Sequence, residues 1–440
     1  MIEHRTVRVA LLGAGSVGSQ VARLLLEQGD ELAARVGARL ELVGISVRNP
    51  HGRRDVDLPA ELFTTDAERL ILGADIVVEL MGGIEPARTL IALALESGAD
   101  VVTANKALIA THGRELFSIA ERVGAQLTYE AAVAGAIPIL RPLRESLAGD
   151  RVERVMGIVN GTTNFILDRM HTRGDSLEEA LRIATELGYA EADPTADIEA
   201  YDAQQKAAIL ASIAFHADVP VESVHREGIT SITREQIQAA QDAGFVVKLL
   251  AICERLTTQA GVEGISARVY PALVSAQHPL AAVHGGNNAV FVEAAAAGPL
   301  MFYGAGAGGV QTASAVLGDL VSAARRYVVG GPGLGESKHS TAPSLDIGEI
   351  TTRYQISLEV ADRPGALAEI TGLFAEHGVS VETLVQSAPD AAAGAASPHA
   401  TLVIGTHSAT ERALAALALA LADVSAVHAV TGVLRVEGQA

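Results

Sequence analysis

The segment that most constrains the fold lies near the N-terminus. There an apolar run, Val7 to Leu12, meets Gly13-Ala-Gly15-Ser16-Val17-Gly18, and helical spacing begins at Ser16 and continues to Glu27. Val17, Val21, Leu24 and Leu25 share one helical face, so the order is buried strand, glycine turn, amphipathic helix. In that setting Gly13 permits a tight turn, Gly15 lets a pyrophosphate approach the main chain, and Gly18 allows close helix packing. The amides of Ser16 and Val17 then open a helix whose N-terminus favours an anion. Alone the glycine pattern is weak, and a purely structural turn competes with dinucleotide binding. Further strands at Leu40–Val47, Ala74–Leu80 and Asp100–Thr103 alternate with helices at Pro86–Ser97 and Arg114–Val123. That alternation predicts α/β architecture with a Rossmann-type doubly wound parallel sheet. Where an NAD enzyme presents an acid to the ribose, this chain has Val47, Arg48 and Asn49, followed by Arg53 and Arg54. Arg48 suits a 2′-phosphate and hence NADP, with NAD still possible; an ordinary exposed loop arginine fits equally.

After Pro138 the texture changes. The helix Leu177–Leu187 has Ser176 and Glu179 at capping-box spacing, and Ile265–Tyr270 and Ala289–Glu293 read as strands, which implies a second α/β domain. Glycines between Gly331 and Gly335 and a polar stretch to Ser344 form a linker. Beyond it, strands at Tyr354–Val360, Val379–Val385, Ala400–Thr406 and Ala426–Val436 alternate with helices at Ala366–Glu376 and Thr410–Leu421. This βαββαβ order describes a ferredoxin-like module interrupted by a low-complexity loop, Ala391–Ser397.

Charge and cysteine usage exclude several roles. The 33 basic against 52 acidic residues give a net charge of -19, which opposes nucleic-acid or anionic-membrane binding. A lone Cys253 excludes an intramolecular disulfide framework and fits a reducing cytosol. The N-terminal stretch lacks a signal-peptide pattern, and no apolar run reaches the roughly 18 residues of a membrane helix. A cytoplasmic enzyme or binding protein is expected.

Of the 33 basic residues only four are lysine: Lys106, Lys206, Lys248 and Lys338. In a chain that favours arginine for surface charge, each lysine raises the question of proton transfer. Lys106 ends Val-Val-Thr-Ala-Asn-Lys at the carboxyl end of a strand, where open α/β sheets bind ligands. Lys206 follows the acidic run Glu191, Asp193, Asp197, Glu199 and Asp202, and Asp202 lies one helical turn before it. Two readings stay open for this run. It is a solvated acidic helix start with one surface ion pair, or its carboxylates hold a substrate ammonium while the Asp202–Lys206 pair manages a proton. Lys248 and Lys338 read as ordinary cations. A Tyr-x-x-x-Lys dyad, a P-loop, a Gly-x-Ser-x-Gly elbow and HExxH spacing are all missing, and Cys253 sits in an apolar run that suits a buried thiol.

Five phrases become legible together: Val102-Thr-Ala-Asn-Lys106, Glu130-Ala-Ala-Val-Ala-Gly-Ala-Ile-Pro138, Gly157-Ile-Val-Asn-Gly-Thr-Thr-Asn164, Gly188-Tyr-Ala-Glu-Ala-Asp-Pro194 and Gly306-Ala-Gly-Gly-Val-Gln-Thr-Ala-Ser314. In combination they resemble homoserine dehydrogenase over residues 1 to about 330. The last module, with Asp362-Arg-Pro-Gly-Ala-Leu367, is similar to an ACT regulatory domain. Val310-Gln311 departs from the family pattern, which has a proline there. The resemblance implies a dinucleotide-binding domain at 1–137 completed by 304–330, a catalytic and dimerisation domain at 138–330, a linker at 331–350 and an ACT domain at 351–440. It implies reduction of L-aspartate 4-semialdehyde to L-homoserine, with Lys206 as proton donor and Glu191 and Asp202 binding substrate. Lys106, Gly188 and a glycine of the 304–309 loop, Gly306, match cofactor contacts. Glu130, Val133, Gly135 and Ile137 match a site for Na+ or K+ built from backbone carbonyls and a carboxylate. A homodimer or homotetramer inhibited by threonine at the ACT domain is expected. The rival is a non-catalytic amino-acid and dinucleotide sensor.

Overall fold

The structure is a computed structural model that describes residues 6–52, 54, 56–336, 338, 340–387 and 399–438. Arg53 and the 391–397 loop lie outside the described residues. The chain divides into two compact units, Met1–Gly161 with Asp202–Glu222 and Gly286–Thr341, and Thr162–Tyr201 with Ser223–Gly285 and Ala342–Ala440.

The first unit contains a six-stranded parallel sheet. Its strands are β1 (Thr6–Leu12), β2 (Arg39–Ser46), β3 (Phe63–Thr64), β4 (Ile76–Glu79), β5 (Asp100–Thr103) and β6 (Leu127–Thr128), in the order β3-β2-β1-β4-β5-β6. Strand order reverses between β1 and β4, which opens a ligand crevice at their carboxyl ends. The helix α1 (Ser16–Glu27) has the expected bounds. Its Val21 and Ala22 join Val9, Leu11, Val78 and Val102 in one core, and the distant helix Gly309–Val329 adds Val316, Leu320 and Ala324. The helix expected from Arg114 instead begins at Lys106 and runs to Val123. Asn105 caps it, its Oδ1 accepting from Leu108 N at 3.2 Å, and Gly113 is tolerated within it. Three antiparallel strands, Val152–Ile158, Asn287–Ala294 and Gly298–Ala305, complete the sheet structure of this unit.

In the second unit Phe245–Thr257 and Glu263–Ser275 form an antiparallel pair of 13 residues each, far longer than the Ile265–Tyr270 strand expected. The terminal module has the strand order Val427–Glu437, Tyr354–Ala361, His399–Thr406, Val381–Ser387, all antiparallel. Its two helices, Ala366–Glu376 and Glu411–Leu421, bury Ile370, Phe374, Leu414 and Leu417 against Ile356, Leu358 and Leu402. This is the ferredoxin-like arrangement the element order predicts. Its last strand also pairs in parallel with Glu263–Ser275, placing Ala272 opposite Arg435. The Tyr270 hydroxyl donates to Glu437 at 2.6 Å, and buried Arg268 reaches Glu254 at 2.9 Å and Glu437 at 3.5 Å. Hydrogen-bonded charges thus fasten the module to the middle of the chain.

Candidate active site

The first unit holds the central cluster. Asp202 and Lys206 sit one turn apart on the helix Tyr201–Phe215, and the Lys206 ammonium donates to Asp202 Oδ2 at 2.6 Å and to the Val159 carbonyl at 2.7 Å. Asn160 Nδ2 donates to the same Oδ2 at 3.0 Å, and Lys106 Nζ stands 3.1 Å from Oδ1. One carboxylate therefore binds two lysines from separate helices. Side-chain exposure is 11% for Asp202, 12% for Lys206 and 37% for Lys106, so the reading of a solvated surface pair fails. Burial pushes the Asp202 carboxyl up, but Lys206, Lys106 and the hydrogen bonds from Lys206 and Asn160 outweigh it and hold it at about 2. Asp202 stays ionised across the whole neutral range.

Local structure explains how Lys106 is held. As the first residue of its helix it opposes the helix dipole, at a cost of roughly 0.3–1 kcal/mol, which the Asp202 carboxylate offsets. The preceding turn is pinned: Thr103 Oγ1 donates to buried Glu79 at 2.6 Å, Asn105 N donates to Thr103 Oγ1 at 3.0 Å, and Asn105 Nδ2 donates to the Gly83 carbonyl at 2.6 Å. Glu79 and Thr103 end adjacent strands, so the sheet itself aims the lysine.

The glycine turn divides its duties by geometry. A Cβ on Gly13, whose φ is 101°, would lie 2.8 Å from the Leu80 carbonyl oxygen, and one on Gly18 would lie 2.2 Å from the Gly13 carbonyl oxygen. A Cβ on Gly15 would meet nothing within 4 Å. Gly13 and Gly18 serve the fold, whereas Gly15 keeps open the space before the uncapped amides of Ser16 and Val17. Gly18→Ala is expected to lower stability by about 1–3 kcal/mol, because a carbonyl cannot swing aside. Gly15→Ala should leave the melting temperature unchanged yet weaken binding of a dinucleotide at least about tenfold, as read by titration calorimetry. Arg48 stands exposed just beyond β2, while Arg54 is engaged by the carbonyls of Asn49, Pro50 and Gly52.

The other expected site residues occupy three places. Gly135 has a φ of 60°, and a Cβ there would lie 2.4 Å from the Gly306 carbonyl oxygen, so these two residues adjoin in the first unit. The Glu130 carboxylate accepts amides from Ile139 at 2.6 Å, Leu140 at 2.8 Å and Arg141 at 2.8 Å. Its side chain is thus committed to the protein, and the turn of Val133, Gly135 and Ile137 can offer a hard cation main-chain oxygen. Among the described residues no group of three His, Cys, Asp or Glu side chains could hold a metal. Gly188, with φ 79°, and exposed Glu191 belong to the second unit, where Tyr189 between them stacks on Phe165 at 4.4 Å.

Sequence reasoning missed Asn160, although it stands inside a quoted phrase, and misread Lys248. Lys248 is fully buried, and its ammonium donates to Asn164 Oδ1 at 3.0 Å and the Val283 carbonyl at 2.6 Å. The signal was its apolar flank, Phe245-Val-Val before it and Leu-Leu-Ala-Ile-Cys253 after it. Burial brings its pKa down to about 8, with Asp168 opposing. Folding therefore disfavours the ammonium: the cost is full below about pH 8, and stability rises from there toward pH 10.5, where the unfolded chain also loses its proton. Denaturation midpoints should show a rise of up to about 3 kcal/mol across that window, absent in Lys248→Met.

The family model of the homoserine dehydrogenase NAD-binding domain matches residues 13–130, that of homoserine dehydrogenase 138–321, and that of the ACT domain 354–422. The chain is 53% identical to a homoserine dehydrogenase of Corynebacterium glutamicum, covering 98% of this chain and 96% of the relative. It is 39% identical to one of Bacillus subtilis, covering 99% of each. A crystal structure of a homoserine dehydrogenase from Thiobacillus denitrificans superposes with a TM-score of 0.89 at 36% identity, covering 99% of both chains. A hyperthermophilic archaeal homoserine dehydrogenase solved in complex with NADPH matches with a TM-score of 0.61 at 27% identity, over 74% of this chain and 99% of that one. The sensor reading finds no support among these matches. The chain belongs to the homoserine dehydrogenase family, oxidoreductases that act on a CH–OH group with a nicotinamide cofactor.

Proposed function

We propose that this enzyme reduces L-aspartate 4-semialdehyde to L-homoserine with NADPH, in the biosynthesis of threonine, methionine and isoleucine. The observation that carries the chemistry is the single Asp202 carboxylate shared by Lys206 and Lys106. Bound nicotinamide supplies the hydride. Lys206 donates the proton to the aldehyde oxygen as charge develops there, and takes it back from the homoserine hydroxyl in reverse. Asp202 fixes Lys206 at the reacting oxygen and holds Lys106 beside the cofactor; Glu191 receives the substrate ammonium. The glycine turn carries the pyrophosphate through Gly13, Gly15, Ser16, Val17 and Gly18, with Gly188 and Gly306 as further contacts. Exposed Arg48 favours NADP over NAD through the 2′-phosphate. Homoserine-dependent reduction of NADP and NAD, compared at saturation, tests both reaction and preference. A preference for NAD would remove the role of Arg48.

The main-chain oxygens of Glu130, Val133, Gly135 and Ile137 hold Na+ or K+, supported by the consecutive left-handed residues Ala134 and Gly135 at φ 59° and 60°. Dialysis into a buffer whose only cation is tetramethylammonium should lower activity, and Na+ or K+ should restore it. The ACT module binds threonine in a 330 Å³ cavity lined by Asp362, Arg363, Ile370 and Gln386, and transmits inhibition. Asp362→Ala should abolish the threonine response and leave the uninhibited rate within about twofold. The enzyme works in the cytoplasm as a homodimer or homotetramer. The edge strand Gly298–Ala305, which exposes Met301 and Tyr303, supports pairing through this sheet. Sedimentation at monomer mass would reject it.

A further inference from the structure

Asn288 is fully buried, and neither its Oδ1 nor its Nδ2 has a hydrogen-bond partner among the described residues. A buried carboxamide left unpaired at both ends costs stability without return, so an amide kept there has a use outside the folded chain's own bonding. Its surroundings indicate which use. A Cβ on Gly306 would lie 2.2 Å from Asn288 Cγ, 2.3 Å from Oδ1 and 2.4 Å from Nδ2, so only glycine can roof this side chain. A Cβ on Gly161 would lie 3.6 Å from Oδ1, and Gly161 follows Asn160, which donates to Asp202. The amide thus adjoins both the glycine segment at Gly306 and the residue that follows the Asp202 donor Asn160.

We propose that Asn288 binds the carboxamide of the nicotinamide ring and sets which ring face meets the substrate. The chemistry fits that group. A carboxylate would satisfy only Nδ2 and a cation only Oδ1, whereas another carboxamide both donates and accepts and so pairs with the two atoms at once. Position agrees: hydride must leave the ring carbon next to the one bearing the carboxamide, and it must reach a carbonyl whose oxygen Lys206 protonates. A carboxamide site one residue away from the Asp202 donor meets that demand. Gly306 roofs the amide and must move to admit the ring, and Gly308, two residues on, holds φ 122°, a conformation closed to other residues.

This inference rests on the nicotinamide-binding reading but not on the identity of the substrate, so it is tested by binding rather than turnover. Cofactor fluorescence and calorimetry would compare wild type, Asn288→Leu and Asn288→Asp for NADPH and for the same dinucleotide lacking its nicotinamide base. Asn288→Leu is expected to weaken NADPH about 10- to 100-fold while the base-free dinucleotide changes less than about twofold, and Asn288→Asp to fall between. Because leucine relieves an unpaired amide, the melting temperature of the cofactor-free Asn288→Leu enzyme should not drop. Equal weakening of both ligands, or a lowered melting temperature, would assign Asn288 to the fold alone. Unchanged NADPH affinity would overturn the proposal outright. Loss of homoserine oxidation in wild type with the binding contrast intact would reject the substrate and leave Asn288 its role.

Discussion

Replacing Lys206 by methionine is expected to lower kcat about a thousandfold in both directions while the NADPH dissociation constant changes less than about threefold. Methionine keeps the length and apolar stem of lysine but can neither donate a proton nor stabilise a developing alkoxide. The structure leaves little room for a substitute. Lys206 is held by two acceptors, Asp202 Oδ2 at 2.6 Å and the Val159 carbonyl at 2.7 Å, which fix its ammonium in one place. Lys106 shares the carboxylate but stands at the other oxygen, at 3.1 Å. Stopped-flow measurement of the hydride step, with cofactor binding followed separately, checks the split. A matching loss of NADPH affinity would mean that Lys206 serves binding and that the proton comes from elsewhere.

Asp202→Asn should lower kcat/KM by about 10²-fold or more through misplacement rather than loss of the donor. Asparagine preserves the shape but removes the charge, so two ammonium groups from separate helices remain without their shared counter-ion. Lys106 is then free to follow the solvent, and the helix dipole at its own N-terminus pushes it outward. Asn160→Ala removes a hydrogen bond from a neutral donor to the same oxygen while both lysines stay in place, and a loss of about threefold is expected. The pH dependence separates these roles further. Asp202 has a depressed value of about 2, below its ordinary 3.8, so its contribution is complete above pH 3.8 and is lost only as pH falls through about 2. Any acid limb of kcat above pH 4 therefore belongs to another group, and it should keep its position in Asp202→Asn.

Much of this was legible in the sequence for definite reasons. The helix Ser16–Glu27 and the strand Asp100–Thr103 were placed to the residue because glycine and charge punctuate their ends. The helix Ala366–Glu376 was equally plain, with Gly365 before it and Gly378 after it. The helix expected from Arg114 begins eight residues earlier, at Lys106, where the Asn105 side chain caps it. The Asp202–Lys206 pair followed from helical spacing, but its burial did not: five carboxylates before one lysine look solvated until Val159, Asn160 and Lys106 arrive from elsewhere in the chain. The same limit hid the pairing of Val427–Glu437 with Glu263–Ser275, and it was the family resemblance, not local pattern, that assigned the Gly309–Val329 segment to the first domain, where it packs in the core. Each depends on partners more than a hundred residues away, which local periodicity does not encode. Lysine scarcity proved a sharper guide than its use on Lys106 and Lys206 alone, since Lys248 is also buried and hydrogen-bonded.

The most direct measurement is the initial rate of NADP reduction by the purified full-length enzyme with L-homoserine, set beside Lys206→Met under the same conditions. The account predicts saturable, homoserine-dependent reduction by wild type and loss of about 99.9% of it in the variant, with NADPH still bound. Wild type that binds NADPH but leaves homoserine unoxidised, or a Lys206→Met enzyme turning over at a near-normal rate, would contradict it.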